Sequence, residues 1–118
     1  VEWFLSNEKK EKIFGFKDHL WNGVTTSVFA QILYTIIDKK IKIPNNFHLV
    51  PKDKVNKYEL MRYLKKHYDF KNLNIIKKNS NMTINRVLET SHKLVNDKIW
   101  LKTKYKKKLN IKEIVSTL

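Results

Sequence analysis

The sequence predicts a small mixed α/β domain of about four to five helices and several short strands. In some stretches, apolar residues recur every three or four positions, which is the spacing of a helix with one buried face. Between them lie short apolar runs bounded by turn residues, which are typical of strands. With 118 residues, 42% of them hydrophobic, the chain is predicted to form one domain, 1–118, with a single modest core.

The first elements are predicted from the residues near the N-terminus. A helix is predicted from Val1 to Lys12, because Trp3 and Phe4 lie on one side and a run of Glu and Lys follows. Residues 13–16, IFGF, alternate as in a short strand. The stretch from His19 to Thr26, HLWNGVTT, is predicted to be an exposed turn with a large aromatic residue at its edge, since Asn-Gly favours turns.

A second helix is predicted from Thr26 to about Lys39. Thr25 or Thr26 can cap it, and its apolar residues repeat at intervals of three and four. The first N–H groups of a helix are unpaired and lie at its positive end, so they suit an anion or a sugar hydroxyl. A ligand is therefore expected here, and a plain loop with a helix cap is the alternative that the spacing leaves open.

The middle of the chain is predicted to contain a strand, a helix and a second strand. Residues 47–50, FHLV, are predicted to be a strand that Pro51 ends. Asn56 stands three residues before Glu59, which predicts a capping box at the start of a helix. A further strand is predicted from Leu73 to Lys77.

Two short helices are predicted near the C-terminus. The first runs from His92 to about Asn96, with Thr90 or Ser91 as its cap. The last is predicted to be capped by Asn110 and to continue to about Thr117.

Composition narrows the classes of function. The net charge is +14, which raises a nucleic-acid hypothesis, but only Arg62 and Arg86 are arginines and the lysines are spread along the chain. This spread indicates solvated faces more than a phosphate-binding surface. The chain has no Cys, so disulfides and thiolate metal sites are excluded and a cytoplasmic location is expected. No apolar run approaches the roughly 20 residues that a membrane span needs.

Three stretches together resemble one known family. They are HLWNGVTT at 19–26, VNKYELM at 55–61 and RVLETSHKL at 86–94. The chain resembles the dTDP-4-dehydrorhamnose reductase family, extended short-chain dehydrogenase/reductases that act on nucleotide-diphosphate sugars. The likeness covers nearly the whole chain in order, although Glu89 or Thr90 replaces the family's usual Asp. It implies the C-terminal, substrate-binding lobe of such an enzyme, without the N-terminal Rossmann domain.

The resemblance also implies site residues. It places Arg86 near the nucleotide sugar, where a guanidinium suits a diphosphate because its forked donors meet two oxygens at once. Trp21 is expected to stack on a base or sugar ring, and Asn22, Thr25 and Thr26 are expected to donate to hydroxyls or phosphate. Without the resemblance, a salt bridge would be the preferred role for Arg86.

No catalytic or cofactor site is predicted in this chain. The family's enzymes need a glycine-rich phosphate turn, but the chain has only two glycines. They also need a Tyr followed four residues later by Lys, and none of the five tyrosines fits. The four histidines have no close metal-ligand spacing. NAD(P) is therefore implied only for the parent enzyme.

The sequence leads to one hypothesis and two alternatives. The hypothesis is a nucleotide-diphosphate-sugar-binding part of an NAD(P)-dependent reductase or epimerase, not catalytic by itself, whose partner is its own N-terminal Rossmann domain. If the piece is excised, the apolar residues of 1–5 and Trp21 are expected to lose their covering, which favours self-association. The alternatives are a Lys-rich nucleic-acid-binding module and an interaction domain with an inherited enzyme fold.

Overall fold

The computed structural model describes residues 1–118 and has the predicted mixed α/β fold. The helices are α1 (Glu2–Leu5), α2 (Thr26–Asp38), α3 (Lys57–Tyr68), α4 (Lys93–Lys102) and α5 (Ile111–Val115). The strands are β1 (Lys12–Phe16), β2 (His19–Trp21), β3 (Val55–Asn56), β4 (Asn74–Lys78) and β5 (Ile84–Arg86). No helix combines the length and the apolar character required to cross a lipid bilayer.

The chain divides into two compact units, each built from two separate segments. The first unit comprises Val1–Trp21 and Val55–Arg86, and the second comprises Asn22–Lys54 and Val87–Leu118. All five strands, α1 and α3 belong to the first unit, while α2, α4 and α5 belong to the second. The single domain expected over 1–118 stays a prediction.

A two-stranded parallel sheet and α3 form the core of the first unit. Strands β1 and β4 pair with Ile13 opposite Ile75, and both side chains are buried. Helix α3 packs on this sheet. At Gly15 the approach is so close that an added Cβ would lie 2.7 Å from the Cα of Tyr58. Glycine is therefore needed here for the packing of β1 against α3.

A three-stranded sheet in the order β3-β2-β5 completes the first unit. Strand β2 is antiparallel to β3 and parallel to β5. Helix α3 starts immediately after β3 with the predicted capping box: the Asn56 side chain accepts from the Glu59 N–H at 2.8 Å, and the Glu59 carboxylate accepts from the Asn56 N–H at 3.0 Å. The cap therefore fixes where the strand ends and the helix begins.

The second unit is helical, with a core shared by its three helices. Helix α2 packs against α4. Its cap is Thr25, whose hydroxyl accepts from the Val28 N–H at 3.3 Å. The predicted cap of the last helix, Asn110, forms a capping box with Glu113. The buried apolar residues of the unit are Val28, Ile32, Ile99, Trp100, Leu109, Ile111, Ile114 and Val115.

The strand predicted at residues 47–50 is wrong, because side chains take the backbone bonds that a neighbouring strand would supply. The Asn96 amide accepts from the Val50 N–H at 2.9 Å and donates to the Val50 carbonyl at 3.1 Å. The Trp100 indole donates to the same carbonyl at 2.8 Å. The predicted end of this helix near Asn96 is also wrong. Helix α4 continues to Lys102, so Asn96 lies inside it.

Two predictions near the N-terminus also need correction. Helix α1 ends at Leu5 and not at Lys12, because the buried Asn7 side chain bonds back to the Trp3 carbonyl and the following Glu and Lys residues have no apolar face to bury. The predicted turn at 19–26 is wrong, since its first part is β2, the central strand of a sheet. Neither glycine of the chain has a positive φ.

Candidate functional site

Trp21 and Arg86 lie side by side in the three-stranded sheet. Parallel pairing of β2 with β5 puts Trp21 in register with Arg86, and Trp21 is also in register with Val55 of β3. Residues in register project from the same face of a sheet, on strands roughly 5 Å apart. Burial falls along this row: Val55 is buried, Trp21 is half-buried and Arg86 is exposed. Trp21 and Arg86 are thus adjacent residues on one face of the sheet, at the solvent-facing end of the row.

The guanidinium of Arg86 has no ion-pair or hydrogen-bond partner in the protein. The salt bridges of the chain all involve lysines, so the structural salt bridge considered for Arg86 is not found. The other arginine, Arg62, lies 5.8 Å from the Tyr58 ring on α3. An exposed guanidinium keeps all five of its donors available to an anion.

A polar cluster at the start of β2 fixes the position of β5. The Asp18 carboxylate accepts from the Ser80 N–H at 3.0 and 3.1 Å and from the Ser80 hydroxyl at 2.9 Å. His19 Nε2 lies 3.0 Å from the same hydroxyl, and the Asp18 carbonyl accepts from the Ile84 N–H. The Ser80 backbone N–H is the main cause that lowers the pKa of the Asp18 carboxyl below its ordinary value. These bonds anchor the β4–β5 loop and, through Ile84, the strand that carries Arg86.

In the second unit, the Asn22 side chain makes two hydrogen bonds to the backbone of Leu88. Its side-chain oxygen accepts from the Leu88 N–H at 2.8 Å, and its side-chain nitrogen donates to the Leu88 carbonyl at 2.8 Å. Asn22 is only 8% exposed. The amide therefore replaces a strand partner for the extended segment at Leu88, and one amide hydrogen is left over.

Thr25 and Thr26 occupy the start of α2. The Thr25 hydroxyl caps the helix and lies 3.2 Å from the hydroxyl of Thr117 and 3.3 Å from that of Ser27. Thr26 is the first helical residue and is exposed. Its hydroxyl makes no hydrogen bond within the protein, so it faces solvent beside the positive end of a 13-residue helix.

The predicted site residues thus fall into two groups. Trp21 and Arg86 belong to the first unit, where the sheet register brings them together. Asn22, Thr25 and Thr26 belong to the second unit. Sequence reasoning missed Asp18 and Ser80, because neither lies in a recognisable motif and they are 62 residues apart.

The second unit also contains an open cleft of about 420 Å³. It is lined by Val50, Leu88, Glu89, Thr90, Lys93, Asn96, Asp97 and Lys108. Two of its charges neutralise one another, since Lys108 and Asp97 form an ion pair at 2.6 Å. None of the residues predicted for ligand binding lines this cleft. No group of three or more His, Cys, Asp or Glu side chains is placed to share a metal ion.

Comparison with known proteins gives one structural likeness. No family model matches the sequence, and no curated protein matches it. Among solved structures, the chain is similar to a dTDP-4-dehydrorhamnose reductase from Clostridium acetobutylicum, with a TM-score of 0.68 and 13% sequence identity. The match covers 98% of this chain and 41% of the reductase chain. At this identity the likeness establishes a shared fold.

Proposed function

We propose that this chain is the nucleotide-diphosphate-sugar-binding, C-terminal part of an NAD(P)-dependent sugar-nucleotide reductase, and that it is not catalytic by itself. The observation that carries the proposal is the likeness of fold, which spans 98% of the chain and includes less than half of the reductase. The absence of a glycine-rich turn and of a Tyr/Lys pair from the sequence supports the second half of the proposal.

The Trp21–Arg86 pair is the centre of the proposed ligand contact. A Trp in register with an exposed Arg suits a ligand that joins a ring to a phosphate, because the indole can stack on the ring while the guanidinium donates to two phosphate oxygens. In the second unit we assign Thr25 and Thr26 to hydroxyl or phosphate contacts. Asn22 retains one donor for the same purpose, although its main bonds are to Leu88.

Calorimetric titration of dTDP and dTDP-glucose into the natural full-length polypeptide tests the proposal. Charge-assisted hydrogen bonds contribute about 1.5–3 kcal/mol, so Arg86→Ala is expected to weaken dTDP binding by roughly 10- to 150-fold. Arg62→Ala is the matched control, because it removes the same charge from the first unit, and it is expected to leave affinity within twofold. Thymidine is expected to bind more weakly than dTDP, since it lacks the diphosphate. Equal losses for the two arginine variants would refute a specific role for Arg86.

The same sample separates the two alternatives. A nucleic-acid-binding module predicts affinity for labelled single or double strands that falls steeply as salt rises. An interaction domain that inherited the fold predicts no binding of either ligand. Micromolar affinity for nucleic acid at physiological salt, together with no heat from dTDP, would replace our proposal by the first alternative.

A further inference from the structure

Helix α2 is apolar on its exposed side as well as on its buried side. Val28, Ile32 and Thr35 are buried. On the opposite side the exposed fraction is 49% for Phe29, 44% for Leu33, 62% for Tyr34 and 76% for Ile37. At 100° per residue, these four side chains and Ala30 cover an arc of roughly 140° of the helix surface. We call this arc the outer face of α2.

The outer face carries no charge in a chain rich in charge. From Thr26 to Ile37 the helix contains no Asp, Glu, Lys or Arg, although 31% of the chain's residues are charged. The second unit as a whole is basic: it contains 13 Lys against five Asp and Glu, a net charge of +8. A helix with apolar side chains on two opposite sides is normally buried on both of them.

We infer that the outer face of α2 is covered, in the natural polypeptide, by a further folded domain of the same chain. The inference rests on the proposed function, because it identifies the surface that receives the remainder of the reductase-like protein. The matched reductase provides the length for such a domain, since 59% of that chain lies outside the match.

The exposed area argues against a second copy as the occupant. The four large side chains expose on the order of 400 Å² together, so a symmetric contact would bury only about 800 Å² in total. A specific interface between separate proteins needs about 1,000 Å² or more. Two copies would also bring together two chains of net charge +14.

A covalently attached domain does not face these obstacles. Contacts between domains of one chain are commonly as small as about 600 Å², and linkage raises the effective concentration of the partner to the millimolar range. The occupant is expected to present an apolar surface bordered by acidic side chains, which would complement the net charge of +8 of the second unit.

Single-cysteine labelling tests the inference, and the absence of natural Cys from this chain makes it simple. Ile37→Cys is introduced into both the 118-residue chain and the natural full-length polypeptide, and the maleimide labelling rate is read by peptide mass spectrometry. We expect labelling to be at least tenfold slower in the full-length polypeptide. Lys102→Cys, at an exposed charged position on α4, is the control and is expected to differ less than twofold.

Several results would overturn the inference. The first is an equal labelling rate of Ile37→Cys in the two proteins. The second is a labelling rate that falls in the 118-residue chain alone as its concentration rises, which would assign the face to self-association. The third is a natural polypeptide with no further domain. Hydroxyl-radical footprinting of Tyr34 in the two wild-type proteins gives the same comparison if the variant misfolds. Titration with dTDP on the same samples separates the two proposals. Protection of position 37 without dTDP binding supports the covered outer face and refutes the proposed ligand. Binding of dTDP without protection of position 37 supports the ligand and refutes the covered face.

Discussion

Asn22→Ala should destabilise the protein, because the Asn22 side chain makes two hydrogen bonds to the backbone of Leu88. The substitution removes two hydrogen bonds of 2.8 Å made by a buried side chain, since Asn22 is only 8% exposed. Each bond contributes about 1 kcal/mol net, so the two bonds together contribute about 2 kcal/mol. We therefore expect Asn22→Ala to lower the free energy of unfolding by about 1–3 kcal/mol.

Urea denaturation followed by tryptophan fluorescence measures this loss. The midpoint should fall while the slope with denaturant stays constant, because the surface exposed on unfolding hardly changes. Asn45→Ala is the matched control, since Asn45 is exposed and makes no hydrogen bond, and it should change stability by less than about 0.5 kcal/mol. If Asn22→Ala and Asn45→Ala prove equally stable, the reasoning that assigns a structural role to the Asn22 amide is refuted.

Three further predictions concern stability. Gly15→Ala places a Cβ 2.7 Å from the Tyr58 Cα and should cost about 1–3 kcal/mol; an unchanged melting temperature would contradict the close packing of β1 on α3. Asp18→Asn should remove part of the pH dependence of stability. Because the folded pKa of Asp18 is lowered from 3.8, its contribution to stability is complete well above that pH and is lost as the pH falls through the folded pKa. The urea midpoints of wild type and variant should therefore differ by a constant amount well above pH 3.8 and converge as the pH falls below it. Thr25→Ala should cost about 0.5–2 kcal/mol in thermal unfolding and Thr25→Ser much less, since serine retains the capping oxygen; equal losses would argue against the cap.

Local signals in the sequence predicted the helices that are stabilised by their own residues. Helix α2 was predicted from Thr26 to about Lys39 and spans Thr26–Asp38, because a threonine cap and a strict apolar repeat define it. The capping box at Asn56 was predicted from that residue and Glu59 three positions later, and Asn110 was predicted as the cap of the last helix; both are confirmed. Such features depend on neighbours in sequence, so no tertiary information is required.

Elements that depend on distant residues could not be predicted in this way. Strands β2, β3 and β5 contain two or three residues each, which is too short for an alternating pattern. Residues 47–50 have strand-like composition, but the Asn96 side chain takes the backbone bonds of Val50 that a neighbouring strand would supply. The register that brings Trp21 beside Arg86 arises from a pairing across more than 60 residues of sequence. For the same reason the resemblance named the candidate ligand residues, whereas Asp18 and Ser80, which hold their strand in place, carried no signal.

The interleaving of the two compact units has a consequence for biosynthesis. Neither unit is a continuous stretch: residues 22–54 of one unit separate the two halves of the other, and residues 55–86 do the reverse. To form each unit, the chain must close a long loop and lose conformational entropy before the stabilising contacts form. Many contacts are therefore non-local, which slows folding. A ribosome must therefore have released most of Val55–Arg86 before the first unit can close. Any single proteolytic cut inside the chain leaves at least one unit without part of its sequence, so domain truncation at one point cannot isolate either.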